Sequence, residues 1–204
     1  MEKEKKEKSL LKDVILTTLV LVLIAVIAGG LLAAVNKFTH IDEAEKLSAK
    51  LASVYTTDKG FTSNLMDGSS ISGADASGSV LGAYMPKDGT RNVILHASGK
   101  GAYKGTVEIM VIIEDYNIKS VAKYVSNETP GLGSKAFEVE YLDKYKGDIK
   151  DIDGFELAKN GGTIDAVSGA TKTSTALVNA VNAAVKYYKD NIDAILKAGG
   201  QTNE

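Results

Sequence analysis

Residues 105–125 read GTVEIMVIIEDYNIKSVAKYV, two runs rich in β-branched residues, Gly105 to Ile113 and Ile118 to Val125, around Glu114-Asp115-Tyr116-Asn117. Val, Ile, Thr and Tyr fit a pleated surface, and the four central residues have the composition of a tight turn, so this is the best strand pair in the chain. A sheet is therefore part of the fold. Helical patterns lie on both sides of the pair without a βαβ rhythm, which predicts a compact α+β domain.

Moving toward the C-terminus, Pro130-Gly131-Leu132-Gly133 forms a turn, after which Phe137, Tyr141 and Tyr145 recur every four residues and predict a short helix. Phe155 to Ala158 and Thr163 to Val167 flank Asn160-Gly161-Gly162 and read as a second hairpin. A last helix is expected from Thr173 to Tyr188, with Leu177, Val181, Val185 and Tyr188 as its buried stripe. Gly199-Gly200 then ends the ordered chain and leaves residues 199–204 as a flexible tail.

Moving the other way, residues 57–90 are rich in Gly, Ser, Asp and Thr and predict turns around a short strand, Val80 to Met85. From Thr39, in an N-cap-like position, to Tyr55 the residues Ile41, Ala44, Leu47, Leu51 and Val54 keep helical spacing. Basic residues are few there, so this juxtamembrane helix, within 36–56, is expected to pack on the domain rather than lie on lipid.

Residues 14–35 carry no charge over 22 positions. As a helix the run spans about 33 Å against a hydrocarbon core of roughly 30 Å, and it exceeds the apolar core of about 7–15 residues usual in a cleaved signal. It predicts a single transmembrane anchor in contact with lipid. Lys3, Lys5, Lys6, Lys8 and Lys12 crowd its N-terminal side, which places residues 1–13 in the cytoplasm and everything from Asn36 outside it.

The 204 residues balance 24 basic against 26 acidic side chains, which offers no electrostatic case for nucleic acid. Cys is absent and the His are two, His40 and His96, so thiolate sites, disulfides and His-based metal or catalytic centres are not expected. These absences point to a bound cofactor or to binding alone.

The stretch most informative about chemistry is Asp165-Ala166-Val167-Ser168-Gly169-Ala170-Thr171-Lys172-Thr173-Ser174, where small residues and hydroxyls gather at a helix start. Free backbone N–H groups and the positive end of a helix dipole receive anions at such a place, with Gly169 permitting close approach. Asp, Ser and Thr are equally the ordinary N-cap residues, and capping alone accounts for every side chain. A P-loop and a Ser-x-x-Lys nucleophile are excluded by spacing.

Asp165-x-x-Ser168-Gly169-Ala170-Thr171-x-Thr173-Ser174 resembles the flavinylation motif of FMN-binding domains, and Glu128-Thr129-Pro130-Gly131-Leu132-Gly133-Ser134-Lys135 is similar to the second signature of that family. With the anchor and the Gly101-Ala102-Tyr103-Lys104-Gly105 run, the chain most resembles the G subunits of Rnf electron-transport complexes. These are related to the longer C subunits of sodium-pumping NADH:quinone reductases. The family often has His where this chain has Ser126.

The resemblance implies an FMN-binding domain over 57–198 and a phosphoester from FMN to the Thr171 hydroxyl, made outside the cytoplasm by a separate flavin transferase. Asp165, Ser168, Gly169, Ala170, Thr173 and Ser174 would be read by that enzyme and then shape the phosphate pocket. Glu128, Thr129, Pro130, Gly131, Leu132 and Gly133 would lie against the flavin ring. It further implies an electron-carrier subunit of an ion-translocating ferredoxin:NAD+ oxidoreductase, a redox carrier rather than an independent enzyme, working beside the other subunits of that complex. The residues themselves leave open a stand-alone flavinylated extracellular carrier and a non-redox anchored module.

Overall fold

The computed structural model describes residues 2–39, 43–66, 77–103 and 105–201. Ile41 of the expected amphipathic stripe, Lys104, residues 67–76 of the turn-rich segment and residues 202–204 of the tail lie outside them. The chain divides into two units, residues 1–46 and 47–204.

The first unit is dominated by α1, Glu2–Thr39, whose Val14–Val35 section has a mean hydropathy of 2.8 and is exposed on every side. A helix apolar all round has no polar face to offer water, so lipid is the solvent that suits it. Thr39 is the last residue of α1, not the residue that precedes the next helix as expected. No Gly or Pro after Val35 breaks the helix at the end of the apolar run, and α2 begins only at Glu43.

In the second unit five strands follow one another as an antiparallel meander: β1, Gly78–Tyr84; β2, Val93–Ala102; β3, Gly105–Glu114; β4, Asn117–Val125; and β5, Gly147–Asp148. Asp115 and Tyr116 both take positive φ, 48° and 59°, between the paired Glu114 and Asn117. That geometry matches the right-handed strand twist, so the expected hairpin closes through a two-residue turn.

The sheet is covered on both faces, which explains why β3 is apolar almost without alternation. Val107, Ile109, Val111 and Ile113 face α4, Thr171–Ala198, in the main core with Leu177, Val181 and Val185. Met110 and Ile112 face the other way with Ile94 and Tyr84, where Leu51 of α2, Glu43–Val54, is buried on them and Leu47 and Val54 pack alongside. The helix thus packs on the domain as its spacing predicts, and the fold is α+β.

Four elements differ from expectation. β2 is a full strand in a stretch with no evident strand pattern: its second half, Ala97 to Ala102, is small and Gly-rich because α4 crosses it. A Cβ on Gly99 would run into the Ala176 carbonyl of α4, so helix and strand meet backbone to backbone. The segment of Phe137, Tyr141 and Tyr145 is not one helix but two 3-10 turns, Gly133–Phe137 and Asp143–Tyr145, around α3, Val139–Leu142, because Glu138 is extended at φ −69°, ψ 143°.

The second hairpin is absent. Leu157 and Ile164 make one isolated bridge around a turn in which Gly161 takes φ 101°, and the side chain of Asn182 replaces a partner strand. It accepts from the Phe155 N–H at 2.7 Å and donates to the Phe155 carbonyl at 2.8 Å. Finally, α4 begins two residues earlier and runs ten residues further than expected, as Ile192, Ile195 and Leu196 extend the buried stripe.

Candidate functional site

The last helix starts as it does because of two small residues. Gly169, at φ 74°, turns the chain in a conformation that a side chain disfavours, and Ala170 then serves as N-cap without any side-chain cap hydrogen bond. Ser174 closes the turn from within: its N–H donates to the Ala170 carbonyl at 2.9 Å, and its buried hydroxyl accepts from the Val167 N–H at 3.0 Å. The reading of this stretch as ordinary capping therefore fails. The first-turn N–H groups of Thr171, Lys172 and Thr173 have no acceptor among the described residues, and the turn contains no acidic side chain.

The loop after β4 is shaped by its own backbone. Leu132 and Ser134 N–H groups donate to the Thr129 carbonyl at 3.2 and 3.3 Å, and the Gly131 N–H donates to Ser134 Oγ at 2.9 Å. A hydrogen bond ties this loop to α4: the Thr173 hydroxyl, 1% exposed, donates to Glu128 Oε2 at 2.6 Å. Gly133 lies beside the pair, and a Cβ there would collide with the Glu128 carboxylate. The two sequence motifs, 45 residues apart, are thereby joined into one wall. Thr173→Val should lower the melting temperature of the full chain by roughly 3–12 °C, because a hydrogen bond to a charged group contributes about 1.5–3 kcal/mol in a domain of this size. Thermal denaturation in detergent measures it, and an unchanged melting point would mean that the bond does not form.

Loop and helix start enclose an open cleft of about 460 Å3. Glu128, Thr129, Leu132, Gly133, Gly169, Ala170, Thr171 and Thr173 line it, all expected from sequence, together with Tyr103 and Lys172, which were not singled out as site residues. Tyr103 belongs to the Gly-rich turn between β2 and β3, and only the formation of β2 brings it here. Of the other expected residues, Pro130 and Gly131 sit exposed on the loop, Asp165 and Ser168 are exposed on the approach to α4, and Ser174 is buried behind the cleft.

The cleft has the donors an anion needs. Three free amides and the positive end of a 28-residue helix meet the exposed Thr171, whose hydroxyl has no hydrogen-bond partner among the described residues. Leu132 and Tyr103, 52% and 73% exposed, offer apolar surface beside it. A phosphate bearing a flat aromatic group fits these residues. Among the described residues there is no group of three or more His, Cys, Asp or Glu placed to hold a metal ion.

The FMN-binding domain family model matches residues 102–186, a range that holds all of these lining residues. The G subunit of the ion-translocating oxidoreductase complex of Pseudomonas aeruginosa is 30% identical over 201 residues, covering 91% of this chain and 93% of that protein. The G subunit of the same complex in Shewanella piezotolerans is 29% identical over 212 residues, covering 94% and 95%. The crystal structure of Shewanella oneidensis NqrC aligns over 54% of this chain and 55% of that one, with a TM-score of 0.42 and 28% identity. Near-complete coverage of relatives at this identity, with an FMN-binding match centred on the cleft, places the chain in the family of ion-translocating oxidoreductase complex G subunits.

Proposed function

We propose that this protein is the electron-carrying G subunit of an Rnf-type ion-translocating ferredoxin:NAD+ oxidoreductase, with FMN joined through its phosphate to the Thr171 hydroxyl. Family membership makes it a membrane-anchored flavin carrier within a redox complex of several subunits. The attachment at Thr171 rests on one observation, an exposed and unpartnered hydroxyl on the first residue of an uncapped helix inside the cleft.

The division of labour follows from the residues. The Thr171, Lys172 and Thr173 amides would hold the phosphate, which keeps one negative charge as a diester, and Gly169 lets it approach the backbone. The helix dipole stabilises such a charge by roughly 0.3–1 kcal/mol, far too little to retain a dissociable cofactor outside the cytoplasm. A covalent bond removes that problem. Asp165 and Ser168, exposed and outside the cleft lining, would be read by a flavin transferase rather than touch the flavin. Leu132 and Tyr103 would flank the ring, and the Glu128 to Thr173 hydrogen bond would keep ring loop and phosphate helix in register. Bound FMN supplies one- and two-electron transfer, and the protein needs no acid or base of its own for that task.

Intact-mass analysis of protein taken from native membranes tests the attachment. An increase equal to FMN less water, located on the Thr171 peptide, is the expected result, and a free Thr171 hydroxyl overturns it. The cofactor site belongs on the extracytoplasmic side, because Lys3, Lys5, Lys6, Lys8 and Lys12 crowd the N-terminal flank of the Val14–Val35 run, whereas Lys37, Lys46 and Lys50 are sparser beyond it. Protease added to intact spheroplasts should therefore remove the domain, whereas in inverted vesicles the domain should survive.

A further inference from the structure

Lys172 breaks a local rule. It occupies the second position of α4, where the positive end of the helix dipole disfavours a cation, and no acidic side chain in that turn offsets it. None of the ion pairs among the described residues includes it. Its ammonium instead lies 6.0 Å from the centre of the Tyr103 ring, within reach of a cation–π contact. Tyr103 in turn is 73% exposed, and Lys172 is the partner its ring has. Both residues line the cleft, and they reach it from different elements, the β2–β3 turn and the start of α4. A pair that spends stability to keep a charge and an aromatic face in a ligand cleft is the kind of local conflict that accompanies function.

We infer that Lys172, steadied on the Tyr103 ring, is the cation that raises the reduction potential of the flavin held in this cleft, with Tyr103 as its positioning residue. The inference rests on the flavin assignment above. Every electron entering the ring system adds negative charge before a proton follows. A fixed cation lining the same cleft therefore favours the reduced form over the oxidised one. Glu128, the carboxylate that also lines the cleft, accepts the Thr173 hydroxyl and so faces the helix start. Lys172 is exposed, so its influence weakens as salt screens it.

The test uses the full chain, flavinylated by co-expression with a flavin transferase, solubilised in detergent and titrated with dithionite against mediator dyes. For K172Q the ratio of reduced to oxidised flavin at a fixed potential should fall about tenfold, equivalent to about 30 mV for a two-electron couple. K172R should recover the wild-type ratio to within about twofold, Y103F should match wild type, and Y103L should lie between wild type and K172Q. Raising the salt should move wild type toward K172Q and leave K172Q in place. A K172Q ratio within about twofold of wild type, at equal flavin load and melting temperature, overturns the inference. Should K172Q take up no flavin, Y103L decides: its ratio falls as stated, or the inference is lost. Flavin load is read separately by mass. An unloaded wild type removes the flavin assignment and this inference with it, while loaded proteins of unchanged potential remove this inference alone.

Discussion

Thr171→Ala, co-expressed with a flavin transferase and run on a denaturing gel, should give no fluorescent band where the wild-type chain gives one. The loss should be complete rather than partial, since no other hydroxyl in the cleft sits on the first residue of α4 beside the free amides: Thr173 is buried and committed to Glu128, while Thr129 and Tyr103 belong to the loop wall and the β2–β3 turn. Thr171→Ser keeps the hydroxyl and should retain a band. Misfolding cannot imitate the result, because Thr171 is an exposed first-turn residue without a capping role, and Ala there should change stability by no more than about 0.5 kcal/mol. An equal melting temperature for mutant and wild type checks that premise. A band that persists in the Ala variant places the flavin on another residue and removes the attachment argued above.

Gly99→Ala should be the most damaging small substitution in the domain. The added carbon would meet the Ala176 carbonyl and lie 2.7 Å from the Ala180 nitrogen, both of them helix backbone, which cannot turn aside as a flexible side chain can. Either α4 lifts from β2 or the strand bends away, and a shift of this kind stands at the upper end of the overpacking range, about 3 kcal/mol. In a domain of this size that lowers the melting temperature by roughly 6–12 °C. Scanning calorimetry is the suitable probe, since α1 would mask the far-ultraviolet signal with helix of its own. Flavin loading should fall in the same variant, because Thr171 opens the helix that has been displaced. A melting point within a degree or two of wild type would mean that strand and helix lie further apart than described.

The same glycine shows why β2 was not legible in the sequence. Strand patterns announce themselves through branched and aromatic residues, yet where a helix lies directly across a strand the space admits only small ones, and Ala97, Ser98 and Gly99 look like loop. β3 was easy for the opposite reason: side chains fill both of its faces. The missed hairpin at 155–167 had the right turn residues, but a single amide on α4 takes the place of the opposing strand, and a contact made 27 residues away leaves no local trace. The apolar spacing places the helix start at Thr173, two residues late, because the hydroxyls before it have the composition of a cap. The structure reverses that logic, since Ala170 caps nothing and the hydroxyls serve other ends.

For the cleft, residues contiguous with the two motifs were legible, and those supplied by folding were not. Glu128 to Gly133 and Gly169 to Thr173 carry a pattern that can be recognised in one dimension. Tyr103 enters only through the register of β2 on β3, and Lys172 fell at the unspecified position inside a motif. Neither announces a role until the helix dipole and the ring contact are seen together.

Some proteins hang a prosthetic group on a long lysine arm that sweeps between stations. Thr171 offers the reverse, a two-carbon stub on the tip of a rod about 42 Å long whose inner face is sealed into the core. A group mounted there would reach less far than one on such an arm, so meeting a donor and then an acceptor would fall largely to the whole globule.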